Sequence, residues 1–377
     1  MTERDEIEVL LENSAEDFLS SEFRDERLRN VYLGRNAYDR GFWRSIAQQG
    51  WLALRLPETL GGSGLQVRHV GILANAFGRR AVPEPLVACS LIPAVLAAHL
   101  GDERWQEITD ALVDGGRVIA VAWQEAPQRL DAEPLLTVAA RAGGGYVLNG
   151  SKYGVVAGGW ADALLVSARL DGEAALFLLP AGSAGLEITE RLGSDGGTVA
   201  LVKLEQACVP AQALLAHGSV VTEALELARD EAMLATALQL CGMAAAGFEL
   251  TLEYMRTRVQ FGRHIGSFQS LQHLAVDIGI QQALTRAACR AAMDRCEAAP
   301  GTIDARRAIA AAKARASDTG ISAGRFGVQA HGAIGFAAEA SIGLYLKGAL
   351  RLAAYLGGGS QHRRQYRQLA DLAQENA

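Results

Sequence analysis

Arg258-Val259-Gln260-Phe261-Gly262-Arg263-His264-Ile265-Gly266-Ser267-Phe268-Gln269 is the stretch whose reading decides the fold. Before it, Leu234, Leu238, Cys241, Ala245, Phe248, Leu252 and Met255 step by three and four residues. That spacing predicts one apolar stripe along a long helix ending near the arginine. Gly262 predicts a turn that holds the aromatic Phe261, and a second helix is predicted from about Ser267. Leu271, Leu274, Ile278 and Leu284 mark its stripe. An arginine here can meet a phosphate through its planar fork. The plainer alternative is a helix end complemented by positive charge.

Downstream, Pro300-Gly301 breaks the second helix. Asp304 to Val328 predicts a third, rich in alanine, and Gly332 and Gly335 mark a loop. Glu339 to Tyr355 predicts a fourth helix, ended by Gly357-Gly358-Gly359. Four long helices with short connections predict a four-helix bundle over 221–377, and the many small residues suit bundles packed in an oligomer.

Upstream, 117–220 reads as a β domain, a small barrel or sandwich. Strands are predicted at Leu135–Ala142, Tyr146–Leu148, Ala163–Ala168, Ala175–Leu179, Leu186–Thr189 and Val199–Leu204. Gly143-Gly144-Gly145 predicts a turn, and Asn149-Gly150 a tight turn. Residues 1–116 read as an N-terminal helical domain interrupted by a Pro57–Gly64 loop. That loop lacks the Lys-Ser/Thr of a nucleotide P-loop. The fold class is therefore α+β: helical domain, β domain, helical bundle.

The 377 residues are 50% hydrophobic, enough for more than one core, and the net charge of -6 argues against general affinity for nucleic acid. The Arg363, Arg364 and Arg367 cluster reads as a solvated helix end. Five cysteines without a C-x-x-C pair predict reduced, buried thiols in a cytoplasmic protein. The acidic start is unlike a signal peptide. No apolar run looks long enough for a membrane; the longest, Leu91–Leu100, reads as a core helix. The histidines show no metal-ligand spacing, so no metal is expected.

The run R-x-Q-F-G-x-x-I-x-x-F-Q at Arg258–Gln269 resembles the acyl-CoA dehydrogenase family. Pro57-Glu58 with Gly61-Gly62-Ser63-Gly64 is similar to that family's P-E-x-x-G-G-x-G loop, Asn149-Gly150-Ser151-Lys152 to its N-G-x-K turn, and Gln329–Phe336 to its Q-x-x-G-G-x-G-F loop. All four stand in family order and spacing across nearly the whole chain. The resemblance implies FAD, an acyl-CoA substrate and an electron-transfer flavoprotein as acceptor. It also implies α,β-dehydrogenation, in which a carboxylate removes the α proton and the β hydrogen leaves as hydride to the flavin. It assigns the FAD pyrophosphate to Arg258, and the adenosine and ribityl part to Gln260, Phe261, Phe268 and Gln269. Gln329, Gly332 and Ala333 would meet the diphosphate. Ala333 replaces a family glycine, so a positive φ there would be strained. His331 lies in the same loop and is either a cofactor contact or a packed histidine.

The chain departs from the family where chemistry occurs. The base of the family's Y-E-G-T motif falls at Leu356, or at Gly357 with a one-residue shift. Members that carry the base on the first bundle helix place it at the equivalent of Ala232. Its neighbours Asp230 and Glu231 are weak substitutes, one or two steps of about 100° away, and otherwise read as solvated acids of a helix start. Gly154 and Val156 stand where Trp and Thr meet the flavin. The T-E-P-x-x-G-S loop is here Gln124-Glu125-Ala126-Pro127-Gln128-Arg129. Together these departures look like the small or β-type subunits of bacterial acyl-CoA dehydrogenases for pimeloyl-CoA or steroid side-chain esters. The expected function is an FAD-dependent dehydrogenase subunit in a homo- or hetero-tetramer or a dimer. The alternatives are a non-catalytic structural subunit, or a flavin monooxygenase or acyl-CoA oxidase on the same fold.

Overall fold

The computed structural model describes residues 3–23, 25–33, 38–127, 129–337 and 340–375. The N-terminal part carries six helices: α1 (Glu3–Glu22), α2 (Asp25–Tyr32), α3 (Arg40–Gln48), α4 (Val67–Arg79), α5 (Ile92–Leu100) and α6 (Gln106–Asp114). Asp39 starts α3 by accepting from the Gly41 and Phe42 amides at 2.7 and 3.1 Å. The Pro57–Gly64 segment is a loop around one 3₁₀ turn, Glu58–Leu60. A side chain at Gly62 would fall 2.1 Å from the Leu56 carbonyl oxygen, so only glycine lets these two stretches of backbone touch.

The middle part is one mixed sheet: β1 (Ile119–Ala122), β2 (Val138–Ala142), β3 (Gly145–Val156), β4 (Ala163–Leu170), β5 (Glu173–Pro180), β6 (Leu186–Leu192), β7 (Thr198–Pro210) and β8 (Leu214–His217). The strand path runs β6-β7-β3-β2-β4-β5-β8. Both β1 and β2 lie parallel to β4, at successive positions along it, and the segment between them swings out of the sheet. The tight turn expected at Asn149-Gly150 is absent: both residues lie inside β3, at a register shift against β7. Asn149 Oδ1 accepts from the Gln206 amide at 2.9 Å, and Gly150 adopts φ 148 because a Cβ would meet Thr137 Cα at 2.7 Å. The hairpin turn is instead Gly143-Gly144, with φ 57 and 83.

The C-terminal part contains α7 (Ser219–Thr257), a small ribbon of β9 (Val259–Gln260) and β10 (Arg263–His264), α8 (Gln269–Ala298), α9 (Ile303–His331), α10 (Ile342–Ala354) and α11 (Gly359–Glu375). The fourth predicted helix starts later than expected, and its predicted first residue Glu339 lies outside the described residues. A fifth helix, α11, begins at Gly359, the last glycine of the triplet.

The stripe on α7 is buried or half-buried throughout, with burial extending beyond it, and the stripe on α8 is corrected in part. Every residue of α7 from Asp230 to Ala244 is buried, because α4, α5, α9 and α10 surround it. This helix is also long and apolar enough to cross a membrane, contrary to the expectation that no run is; 72% of its most apolar window is buried inside the protein, as a core helix requires. On α8 the buried face is Ala275, Ile278, Gln282, Thr285, Cys289, Ala292 and Cys296, while Leu274 and Leu284 face outward. Small residues let α8 lie close to α7 and α9, which leaves the larger ones unpartnered.

Candidate active site

Four segments remote in sequence converge on one cavity. Ile92 comes from α5, Trp123 and Gln124 from the segment after β1, Gly154 and Val156 from the end of β3, and Leu356 from the turn after α10. Four of them, Gln124, Gly154, Val156 and Leu356, are positions at which the sequence departs from the motifs above. The cavity measures about 10 Å³, room for one water molecule. None of its described lining residues carries a carboxylate.

The wall at Leu356 is held from beneath. Leu356 adopts φ 56, a left-handed conformation costly for a side chain, and Gly357 follows at φ 94. Buried Lys313 of α9 donates to the carbonyl oxygens of Leu352, Ala353 and Gly357 at 3.1, 3.2 and 3.0 Å. The cation thus caps the C-terminal end of α10, where unsatisfied carbonyls concentrate negative charge. Burial pushes the Lys313 ammonium down to about 7. Burial and the Lys313 charge push His362 down to about 4, so its imidazole is neutral at pH 7. Its Nε2 lies 2.8 Å from the Leu356 oxygen.

The opposite wall has a polar foundation. Lys152 of β3 is fully buried and reaches Glu125 Oε1 and Ser167 Oγ, both at 3.0 Å. Glu125 also accepts from the amides of Leu135, Leu136 and Thr137 at 2.8 Å each. Burial alone would raise Glu125, but the Lys152 charge and the three amides outweigh it and hold the carboxyl at about 2. This pair ties the segment carrying Trp123 and Gln124 back onto the sheet.

Asp230 and Glu231 do not reach the cavity. Glu231 is clamped by Arg55, whose Nε and Nη2 donate at 2.9 and 2.7 Å. Asp230 accepts from Arg306 Nε at 2.9 Å and Arg229 Nη2 at 3.1 Å. Both are buried, so the reading as solvated acids is corrected, and each is engaged in an ion pair with arginine.

The ribbon residues form a separate, outward face. Arg258, Gln260, Gln269, Gln329, Gly332 and Ala333 are exposed, and Phe268 is half-buried under the Arg263 guanidinium at 4.1 Å. Phe261 is 91% exposed and Phe336 84%, far beyond what an isolated surface needs. Tyr254 stacks on His331 at 4.0 Å and so joins the ends of α7 and α9 into one surface. His331 Nδ1 lies 2.8 Å from the Gly327 oxygen, which makes this histidine part of the packing. The strain expected at Ala333 does not arise, because Gly332 takes the positive φ, 65.

The sequence profile for "Acyl-CoA dehydrogenase, N-terminal domain" matches residues 5–114, and that for "Acyl-CoA dehydrogenase, C-terminal domain" matches 217–368. The chain belongs to the acyl-CoA dehydrogenase family. Its members are FAD-dependent oxidoreductases that act on the CH-CH bond of acyl-CoA thioesters. Acyl-CoA dehydrogenase FadE27 of Mycobacterium tuberculosis is 33% identical over 349 residues, 89% of each chain. The ChsE4-ChsE5 complex from Mycobacterium tuberculosis contains a chain 28% identical, with a TM-score of 0.86 over 98% of both chains. A single-substitution variant of the Tcur3481-Tcur3483 steroid ACAD contains one 27% identical, with a TM-score of 0.87 over 99% of this chain and 100% of that one.

The family cofactor fits this acyl-CoA dehydrogenase chain in one place and not in the other. The exposed ribbon face offers Arg258, Gln260, Gln269 and Gln329, donors suited to a diphosphate and an adenosine. The central cavity, at one water's volume, does not accommodate the three fused rings of a flavin. Sequence reasoning reached Gln124, Gly154, Val156 and Leu356 but missed Ile92, Trp123, Lys152 and Lys313. The Lys of the N-G-x-K turn was a signal for the Glu125 pair; no local pattern marks Ile92 or Lys313.

Proposed function

We propose that the chain is a β-type subunit that completes an FAD-dependent acyl-CoA dehydrogenase together with a second, dissimilar chain of the same fold. That second chain brings the carboxylate base and the pocket for the flavin ring. The observation that carries this reading is the cavity: it is about one water in size, is lined by no carboxylate, and has Leu356 where the family places its base. The exposed face around Arg258 and Phe261 supports it, since neither residue lines the chain's own cavity and both suit a cofactor shared across an interface. Two similar structures are named as pairs of chains, ChsE4-ChsE5 and Tcur3481-Tcur3483, the latter a steroid acyl-CoA dehydrogenase by its description. In this reading FAD supplies the hydride acceptor when bound, an acyl-CoA is the substrate, an electron-transfer flavoprotein takes the electrons, and the assembly works in the cytoplasm.

The test is the visible spectrum of the chain purified alone and co-expressed with an acyl-CoA dehydrogenase chain that carries the glutamate base. A colourless chain alone, and a yellow complex bleached by acyl-CoA under anaerobic conditions, is the expected result. A flavin band in the isolated chain that acyl-CoA bleaches would overturn the proposal.

A further inference from the structure

Helix α8 packs on α7 and α9 with one face and exposes the other. On the exposed face Val276, Ile280, Ala283, Leu284, Ala287 and Ala291 recur at helical spacing. The stripe is graded along the axis. Toward the N-terminus it is large, with Val276, Ile280 and Leu284 all about half exposed. Toward the C-terminus it is small: Ala283, Ala287 and Ala291 floor an open depression of about 450 Å³ edged by Arg286, Arg290 and Asp294. Charge is graded in the same direction. Asp277 stands exposed at the large end. At the small end Asp294 is engaged by Arg68 and Arg295 by Asp304. That leaves Arg286 and Arg290 as the outward charges without an ion pair among the described residues.

We propose that this face docks on the same face of a second copy of this chain, antiparallel, about a two-fold axis that passes between Ala283 and Leu284. Such an axis sets Val276 at the level of the other copy's Ala291, and Ile280 at the level of its Ala287. Each large side chain then meets a recess left by an alanine, as close packing requires. The alanines let the two helix axes approach to about 8 Å. The same axis brings the Arg286 and Arg290 end of each copy alongside the Asp277 end of the other, and it opposes the two helix dipoles. A parallel pair would instead set large on large, alanine on alanine and arginine on arginine. One face thus carries both the ridge and its recess, the acid and its bases, which is the self-complementarity of an isologous interface. The contact does not involve the ribbon face, so it stands whether or not a dissimilar chain completes the enzyme.

The first experiment is light scattering of the full-length protein and of Ala287→Arg. Ala287 is exposed, so the far-UV circular dichroism of A287R should match the parent, while the mass of the assembly should fall by half. The second is disulfide trapping. Of the five free cysteines only Cys208 is exposed, against the expectation that all are buried, so trapping is done in a Cys208→Ser background. The double variant I280C/A287C, oxidised with copper–phenanthroline, should give a covalent dimer whose linked peptides join position 280 to position 287. Neither single variant should cross-link, because the same position in two antiparallel copies lies about 10 Å apart along the axis, beyond the reach of a disulfide. A monomeric parent chain, an A287R assembly of unchanged mass, no covalent dimer, or cross-links that join like positions would overturn the proposal.

Discussion

Leu356 is a single residue on which two demands meet. Its side chain closes the cavity, and its backbone sits at φ 56 under the hold of Lys313 and His362. Replacing it by glutamate would put a carboxylate among Trp123, Val156 and Ile92 with no cation in the lining. L356E is therefore expected to lower the urea midpoint and to give no acyl-CoA-dependent flavin bleaching. G357E should be worse, because a Cβ at Gly357 would lie 2.9 Å from His362 Nε2 and φ is 94 there. Wild-type-like stability with family-like turnover in either variant would contradict this account. The Glu125–Lys152 pair makes a second residue-scale prediction. Removing one partner of a buried pair strands the other charge, so Lys152→Met should cost about 3–5 kcal/mol in denaturant unfolding. The carboxyl of Glu125 stands below its ordinary 4.5, at about 2. A depressed carboxyl stabilises fully above its unfolded value and loses that contribution as pH falls. Stability should thus decline between about pH 4.5 and 2, with a shallower decline in Glu125→Gln.

At the scale of elements, the crossing of α4 and α7 is set by glycines. A Cβ at Gly78 would fall 1.9 Å from the Gln239 oxygen, and one at Gly242 would fall 2.1 Å from the Asn75 oxygen. No rotamer relieves a clash with backbone, so Gly242→Ala should separate the helices and destabilise by about 1–3 kcal/mol or more. Gly279 on α8 is the control: a Cβ there meets nothing within 4 Å. Gly279→Ala should stabilise by about 0.5–1 kcal/mol through helix propensity alone. Thermal melts of the two variants, moving in opposite directions, would check both. The motif order makes the helices and their breaks legible, yet burial on α7 extends all round over Asp230–Ala244, beyond its stripe, and the buried face of α8 differs from the stripe its spacing predicts. Periodicity reports that a helix is amphipathic toward one neighbour; it does not count neighbours, and α7 has them on every side.

For the whole molecule, the outward apolar residues are the unfinished part. Leu274, Val276, Ile280 and Leu284 on α8, with Phe261 and Phe336 at the ribbon, are exposed in a chain whose core is otherwise closed. Subunit packing would cover such residues, and size-exclusion chromatography with light scattering should show an assembly larger than one chain. Co-expression with a base-carrying chain of the same fold is expected to convert it into a mixed assembly.

The sequence by itself determined the helical, β, helical order, the family, the absence of glutamate at Leu356 and Gly357, and the identity of the ribbon residues. Those are properties of spacing and residue type, which survive without coordinates. Only the tertiary structure decided that Gln124, Gly154, Val156 and Leu356 surround a single cavity too small for a flavin ring. It alone showed Asp230 and Glu231 bound to arginines, Lys313 beneath the Leu356 turn, and Asn149-Gly150 inside a strand. Each of these depends on groups from distant parts of the chain meeting in space, and a one-dimensional pattern holds no record of which distant groups will meet.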